Sequence, residues 1–574
     1  MGSQIASASV ASGGDQLIEV LRRAKDLGVL SEELARAVFD AESELALSRQ
    51  RHCLLRPVKF RPGDNVLEVG GKYGALARYL GEIGAEVQSV DDDIRSMEIA
   101  RLRCRDLANV NLFVDLQSLA KVGNLDWVVL TEGVSSSGQR RVSLDSLRTQ
   151  LAHAYGALAE SGSLIFSTEN RLGLKYLLGA KPTGSNDPFE VLNSTRPSDA
   201  RPIDLALLMA EVRSAGFVDV EVLLPFPDHL FPKVLVRAPA VEAHGIPLEN
   251  VLWGVYGRDY AAEWYAFIDE QRLWAPLQRN GIAASMAHSL MIVARKSPQG
   301  ESSIEDADAW RFTIGDRYSR FMKSITISCP DANGSREVQA AHILPDTETP
   351  SLQLESGYSG RQVIAGGAFH PGVTEAARVA ASFGHSANEV VHAYVRWASY
   401  VFARARCMEL AEASMIASWV LPGDCAELIP QNMIWPEAGV APFIFDNEPQ
   451  FDQEVPLVWV LYRGVIQCMR YHDPVHILRS VAGVLQLTVV DEDVDLARRL
   501  EREMVNAFEF PTGWTRPTPI DFPMIRVELA RLEQRLSAAT AHSEAILSRK
   551  SVRLALGLAR RLRVPLRWWR SMVQ

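Results

Sequence analysis

The chain has 574 residues, 47% of them hydrophobic and 23% charged, with a formal net charge of −10. That length exceeds what one hydrophobic core usually serves, so several domains are expected. The acidic balance excludes a nucleic-acid binder held by bulk electrostatics.

In chain order, residues 1–14 are small and polar, lack the apolar core of a signal peptide and read as a disordered tail. From about Gln16 to Val58, "LIEVLRRAKDLGVL" and "ELARAVFDAESELALSRQRHCLL" place apolar residues at three- and four-residue steps, which predicts helices. From Asn65 to about Pro239, short β-branched runs alternate with helical patterns: "NVLEVG", "EVQSVD", "NLFVD", "LDWVVL", "GSLIFST" and "VDVEVLL". This predicts an α/β, Rossmann-like fold with a mostly parallel sheet. "MAHSLMIVARK" adds a strand before residue 298, where this first domain, 15–298, is expected to end.

The polar, turn-rich residues 299–309 read as a linker to a second α+β domain, 310–515. There "SITISC" and "EVQAAHIL" are strand-like, "ANEVVHAYVRWASYVFARARCMELA" is helical, and "ELIPQNMIW" with "APFIFDNEP" suggests a hairpin followed by more helix. Residues 523–574 are distinct. Ile525, Leu529, Leu532 and Leu536 are spaced four, three, four, a short coiled-coil seam and a route to a homo-oligomer. From Arg549 to the end there are Lys and Arg but no acidic residue, with Trp568 and Trp569 in the same amphipathic stretch. Such a segment suits an anionic membrane surface; packing on the second domain or on a partner chain is the alternative. No apolar run is long enough to span a bilayer. The cysteines, Cys53, Cys104, Cys329, Cys407, Cys425 and Cys468, lack the short spacing of a zinc or redox pair, and a reducing cytoplasm fits them.

The junction of the first strand and its helix carries Glu68, Gly70, Gly71 and Gly74. Dinucleotide-binding proteins and methyltransferases both place a glycine-rich turn there. A carboxylate just before the first glycine can accept from the methionyl ammonium of S-adenosylmethionine and disfavours a pyrophosphate by charge. Asp91, with Asp92 beside it, ends the second strand, where either cofactor class binds ribose hydroxyls. Asp115 and Leu116 follow the third strand, where adenine contacts are expected, and Thr131 and Glu132 end the fourth. The glycines could serve strand–helix packing alone, and a nicotinamide cofactor stays open. The order of the four strand ends weighs toward S-adenosylmethionine.

Further strings carry a resemblance: "ALSRQRHCLLRPV", "VLEVGGKYGALARYLGE", "ARLRCRDLANV", "STENRLGLKYLLGA" and "GFVDVEVLLPFPDHLFPKVL". Over roughly Leu45 to Val236 the chain resembles the class I methyltransferase domain of large bacterial cell-surface polysaccharide enzymes, among them methyltransferase–kinases that cap O-antigen chains. The resemblance implies S-adenosylmethionine-dependent methyl transfer to a sugar or phosphate of a polysaccharide or lipid-linked glycan, at the inner face of the plasma membrane. Transfer to oxygen is an in-line displacement that needs positioning and, for a hydroxyl, a base. Glu132 and Glu169 are the nearest carboxylates by sequence. Asn170 and Lys175 could position an acceptor, Lys175 by pairing with a phosphate. Against this, Glu169 and Asn170 could cap the next helix, and Lys175 could lie on a solvated face.

In the second domain, Glu427 and Asn432 are five apart and Asp446 follows on "IFD". The spacing resembles the catalytic-loop and magnesium residues of protein kinases, and the polysaccharide enzymes carry a similar string. Glu stands at the catalytic position, no glycine-rich phosphate loop precedes it, and "SREVQAAHILP" has Gln339 and no lysine. A degenerate kinase-like scaffold is therefore expected, without Mg-ATP. His472 and His476 in "HDPVH" make a weak zinc pair with Pro474 between them, and no metal site is expected. The alternative for the whole chain is a non-catalytic scaffold in a polysaccharide assembly. Lys72, where many relatives carry glycine, and the loops "VSSSGQ" and "KPTGSNDPFE", which replace family strings, favour that alternative.

Overall fold

A computed structural model describes residues 13–114, 123–131, 143–181, 190–193, 203–258, 265–266, 268–297, 302–344, 349–382, 386–436, 441–468, 472–512, 514, 520–521, 532, 535–542 and 545. The chain forms two compact units, Met1–Ile520 and Asp521–Gln574.

The first unit opens with α1 (Gly13–Arg23), α2 (Glu32–Arg36) and α3 (Ala41–Leu47). Their starts are written in the sequence. Ser31 caps α2 by accepting from the Leu34 N–H, and Asp40 and Ser43 form a reciprocal capping box on α3; each such cap contributes about 1 kcal/mol. Leu17, Leu21, Leu34 and Leu47 bury their side chains in one cluster with Ile99.

The sheet begins with β1 (Asn65–Val69), α4 (Ala75–Glu82), β2 (Glu86–Val90), α5 (Ile94–Arg103), β3 (Val110–Phe113) and β4 (Leu125–Thr131). It continues with α6 (Leu144–Ala157), β5 (Leu158–Glu169), α7 (Leu174–Leu177), α8 (Leu205–Ser214) and β6 (Asp219–Phe226). β7 (Val234–Arg237) and β8 (Ser289–Arg295) follow. Strands β3, β2, β1, β4 and β5 are parallel neighbours in that order. β8 then lies antiparallel between β5 and β6. Val66, Val87, Val129 and Ile165 are buried on one face; Leu67, Val69, Leu130 and Phe166 on the other. Burial on both faces is why these strands read as continuous apolar runs rather than alternating ones.

The parallel order stops at β5, which corrects the expectation of a mostly parallel sheet. β7 pairs antiparallel with β6, and β9 (Ala307–Thr313), β10 (Lys323–Ser328), β11 (Glu337–His342) and β12 (Gly367–Ala368) extend it antiparallel. The result, among the described residues, is one twelve-stranded sheet in the order β12-β11-β10-β9-β7-β6-β8-β5-β4-β1-β2-β3. Within the expected linker, the described residues 302–309 pack against the sheet. Ile304 and Ala307 are buried, Ser302 Oγ donates to Glu221, and Ala309 sits opposite Val236. The second half is joined through the β7 edge, which leaves that edge no unpaired backbone.

Beyond β12, α9 (Ala387–Phe402), α10 (Leu457–Cys468), α11 (Pro474–Val484) and α12 (Asp491–Phe508) form the helical part, with Trp397 and Trp459 fully buried. The expected hairpin is present, pairing Met433 with Ile444 and Ile434 with Phe443. All six cysteines are free thiols. No helix among the described residues is long and apolar enough to cross a membrane. In the second unit residues 535–542 are helical, and Leu532 and Leu536 are exposed. Ile525, Leu529, Trp568 and Trp569 lie outside the described residues.

Candidate functional site

The strand order reverses between β1 and β4, and ligands of open α/β sheets bind outside the carboxyl ends at such a switch point. Residues paired across strands share a face of the sheet. Glu68 pairs with Ser89 and Val129, Thr131 with Ser167, and Glu169 with Ser289. Val129 and Thr131 are two apart, as are Ser167 and Glu169. Ser89, Glu68, Thr131, Ser167, Glu169 and Ser289 therefore form one polar row along the carboxyl edge of a single face. Deeper in the sheet, Val66, Val87, Trp127 and Ile165 make that face apolar.

Glu68 is fully buried. Its Oε2 accepts from Ser89 Oγ at 2.6 Å, and its Oε1 has no partner. Burial pushes its carboxyl up to about 7, against the downward pull of the Ser89 hydrogen bond and the Arg51 charge. Thr131 Oγ1 and Ser167 Oγ are also buried and unpartnered. Three adjacent strands thus present buried polar atoms with nothing bonded to them, where native structures satisfy nearly all such atoms.

The turn after β1 explains its glycines individually. Gly70 and Gly74 have φ of 78° and 75°, a region that L side chains enter at a cost. A Cβ on Gly74 would also lie 2.9 Å from Ala100 Cα in α5, and one on Gly71 would run into the Glu68 carboxylate. Tyr73 takes a φ of 61° without being glycine. Its N–H donates to Ser96 Oγ at 3.1 Å and its hydroxyl to Glu42 of α3 at 2.8 Å. Lys72 sits close enough to Asp91 for its charge to act on it.

Asp91, buried, accepts from the Asp93 N–H at 2.9 Å. Burial raises its carboxyl above the usual range despite that bond and the Lys72 charge. Asp92 is exposed. Asp115, Leu116 and Glu132 lie outside the described residues.

At the other end of the row, Glu169 accepts from Lys175 Nζ at 3.0 Å. Burial would raise its carboxyl, but Lys175, the Tyr176 hydroxyl and His229 more than offset that and hold it below the usual range. Lys175 is 2% exposed, so it is neither on a solvated face nor unengaged for a phosphate. Asn170 is fully buried, and its amide donates to the carbonyls of Ser285 and Ala287 at 2.8 and 2.7 Å while Oδ1 accepts from the Leu172 N–H. Both amide hydrogens are spent on backbone, which corrects its assignment to an acceptor. Neither residue caps α7, whose N-cap is Gly173.

Two histidines that the sequence reading did not single out complete this end. His229 Nδ1 lies 3.0 Å from Ser289 Oγ. His288 Nδ1 lies 2.9 Å from the Pro227 carbonyl, with Nε2 3.2 Å from Glu270 Oε1. The signal was present in "PFPDHLFPKVL" and "MAHSL", but an isolated histidine in an apolar string has no spacing to mark it.

In the second half, Glu427, Asn432 and Asp446 do converge. Asn432 Nδ2 donates to Glu427 Oε2 at 3.2 Å and to the Asp446 carbonyl at 3.0 Å. Arg463 Nη1 lies 2.8 Å from Glu427 Oε1 and its Nε 3.0 Å from Glu501. Burial pushes the Glu427 carboxyl up to about 7, opposed by Arg463. β11 carries no lysine, but Lys323 of β10, cross-strand partner of His342, ion-pairs with both Asp446 and Glu448. Its ammonium thus neutralises Asp446, the carboxylate that the kinase-like reading assigns to magnesium. No cluster of three or more His, Cys, Asp or Glu suited to a metal occurs among the described residues.

No family model matches the chain, and no curated protein matches it. Among solved structures it is similar to Haemonchus contortus phosphoethanolamine N-methyltransferase 2 in complex with phosphomonomethylethanolamine and S-adenosylhomocysteine. Identity there is 18% over 44% of this chain and 52% of that one, with a TM-score of 0.27. This chain thus spans about half the length of the Haemonchus enzyme. It is also similar to a SAM-dependent methyltransferase from Archaeoglobus fulgidus (17% identity, 46% of this chain, 95% of that one, TM-score 0.27). A third is a SAM-dependent methyltransferase from Thermotoga maritima, a possible histamine N-methyltransferase (15%, 43% and 89%, TM-score 0.25). These likenesses cover part of the chain, and the reading of the site rests on its own residues.

Proposed function

We propose that the first half of the chain is an S-adenosylmethionine-dependent methyltransferase. The observation that carries this is the set of unpartnered, buried atoms Glu68 Oε1, Thr131 Oγ1 and Ser167 Oγ at the carboxyl edge, beside a glycine turn in which a Cβ on Gly71 would strike the Glu68 carboxylate. The residues fit the cofactor. Glu68 and the turn would take the methionyl end and Asp91 the ribose. When bound, the cofactor supplies an activated methyl group. A buried carboxylate at the turn would repel a pyrophosphate, and an antiparallel β8 interrupts the all-parallel order of a dinucleotide-binding sheet. Both weigh against a nicotinamide.

The acceptor we propose is a bacterial surface polysaccharide or lipid-linked glycan. The strings from Leu45 to Val236 that resemble such enzymes support this. The second half favours a scaffold role, because Lys323, Arg463 and Asn432 already occupy the carboxylates that phosphotransfer would use.

The test is a thermal melt of the full chain with each cofactor at saturating concentration. S-adenosylmethionine should raise the melting temperature and NAD leave it unchanged, since a ligand stabilises only the state it binds. A rise with NAD alone would reverse the assignment.

A further inference from the structure

We infer that the hydroxyls of Thr131 and Ser167 are the carboxylate half of a zwitterion site whose ammonium half is Glu68, and that they make the chain selective for a cofactor bearing an α-carboxylate; this rests on the methyltransferase reading above. Thr131 ends β4 and is the direct cross-strand partner of Ser167 on β5. Glu68 of β1 pairs with Val129, two residues before Thr131. The two hydroxyls therefore stand one and two strands from Glu68, on its face and nearer the carboxyl edge. All three residues are fully buried. Neither hydroxyl has a partner, so they do not bond each other, and Glu68 Oε1 is equally unpartnered. Two residues inward on the three strands stand Val66, Val129 and Ile165, which offer no hydrogen bond. A partner for these atoms must come from the carboxyl edge.

The row presents an acceptor and then two donors. An ionised carboxylate only accepts, whereas a hydroxyl can donate. The methionyl end of S-adenosylmethionine is the complement, an ammonium that only donates beside a carboxylate that only accepts. Both groups stem from one carbon, so they fit within the step between neighbouring strands, about 4.8 Å. A carboxylate lying between two hydroxyls one strand apart receives one hydrogen bond on each oxygen. The order agrees with the rest of the site. Across β5 and β4, then β1, then β2, the sheet offers the two hydroxyls, Glu68 and Asp91. That is the sequence of carboxylate, ammonium and ribose along the cofactor.

The charges nearby permit this. Glu169 lies two residues beyond Ser167 on β5 and would repel a carboxylate, but its charge is matched by Lys175 Nζ at 3.0 Å. Two cations are rival holders of the same carboxylate: Arg51, whose charge acts on Glu68, and Lys72, whose charge acts on Asp91. If either held it, the hydroxyls would be bystanders. A ligand that lacks only the carboxylate separates the two cases.

The experiment is calorimetric titration of the full chain at pH 8, above the value of about 7 for Glu68, with S-adenosylmethionine and with decarboxylated S-adenosylmethionine, which keeps the amine. Thr131→Val and Ser167→Ala each remove one hydroxyl at little change of volume, and Thr131→Ser keeps it. Each of the first two should weaken S-adenosylmethionine about tenfold, as loss of one hydrogen bond to a charged group does, and leave the decarboxylated ligand within about twofold. Thr131→Ser should bind both as the unaltered chain does. The ratio of the two affinities is the readout, because a general loosening of the fold would weaken both ligands alike. Equal losses for both ligands, or no loss for S-adenosylmethionine, overturn the inference and leave the cofactor reading standing. Binding of neither ligand by the unaltered chain overturns both.

Discussion

Ser89 donates to Glu68 Oε2 at 2.6 Å across the β1–β2 pairing, while Glu68 Oε1, equally buried, receives nothing. A carboxyl so placed is an acceptor waiting for a donor, and its protonation is coupled to folding. Burial raises it from the usual carboxylate value to about 7, so between about pH 4.5 and 7 the native state binds more protons than the unfolded one. Stability from this group is therefore full below about 4.5 and is lost as pH rises through about 7. The loss is on the order of 3 kcal/mol at most. Denaturant unfolding at pH 5 and pH 8 should show a fall in stability that Glu68→Gln reduces. Glu427, also raised to about 7, contributes a similar fall, so the variant should remove only part of it. An unchanged fall in Glu68→Gln would contradict the burial account.

The glycine turn predicts a graded series. Gly74→Ala combines positive φ with a 2.9 Å approach to the Ala100 backbone and should cost roughly 2–3 kcal/mol. Gly63 also has positive φ, at 87°, but open space where its Cβ would go, so Gly63→Ala should cost only about 1 kcal/mol. Gly71→Ala should displace Glu68 and weaken cofactor binding more than it weakens folding. Chemical denaturation and calorimetry on the three variants separate these effects.

Lys175→Met leaves the Glu169 carboxylate buried without its ion-pair partner and should destabilise by roughly 3–5 kcal/mol. The double variant Lys175→Met with Glu169→Gln should recover much of that loss, because no charge then remains buried unpaired. Additive losses across this double-mutant cycle would show that the pair is not coupled.

Lys323→Met removes the cation shared by Asp446 and Glu448. A loss of roughly 3–5 kcal/mol is expected. Millimolar Mg2+ should raise the melting temperature of the variant and not that of the unaltered chain. A response to Mg2+ in the unaltered chain would show that the site is open to metal.

The sequence showed the parallel half of the sheet because strands buried on both faces are apolar throughout, and "NVLEVG", "EVQSVD" and "LDWVVL" fall on β1, β2 and β4. It did not show that Val234–Arg237 and Ala307–Thr313 pair edge to edge. "SPQGESSIEDAD" reads as solvated, and cross-strand pairing between distant segments leaves no local periodicity. Glu68, the glycines and Asp91 were legible because motif spacing carries them. The committed state of Asn170 and Lys175 was not, since it depends on carbonyls and a carboxylate brought close only by folding. Lys323 was missed for the same reason: it replaces a sought lysine from the neighbouring strand.

The most direct measurement is a calorimetric titration of the full chain with S-adenosylmethionine, repeated on Asp91→Ala. The account predicts one binding site per chain and a loss of at least tenfold in affinity in the variant, which is about 1.4 kcal/mol. A folded chain that takes up no S-adenosylmethionine, or binds it equally well without Asp91, would contradict it.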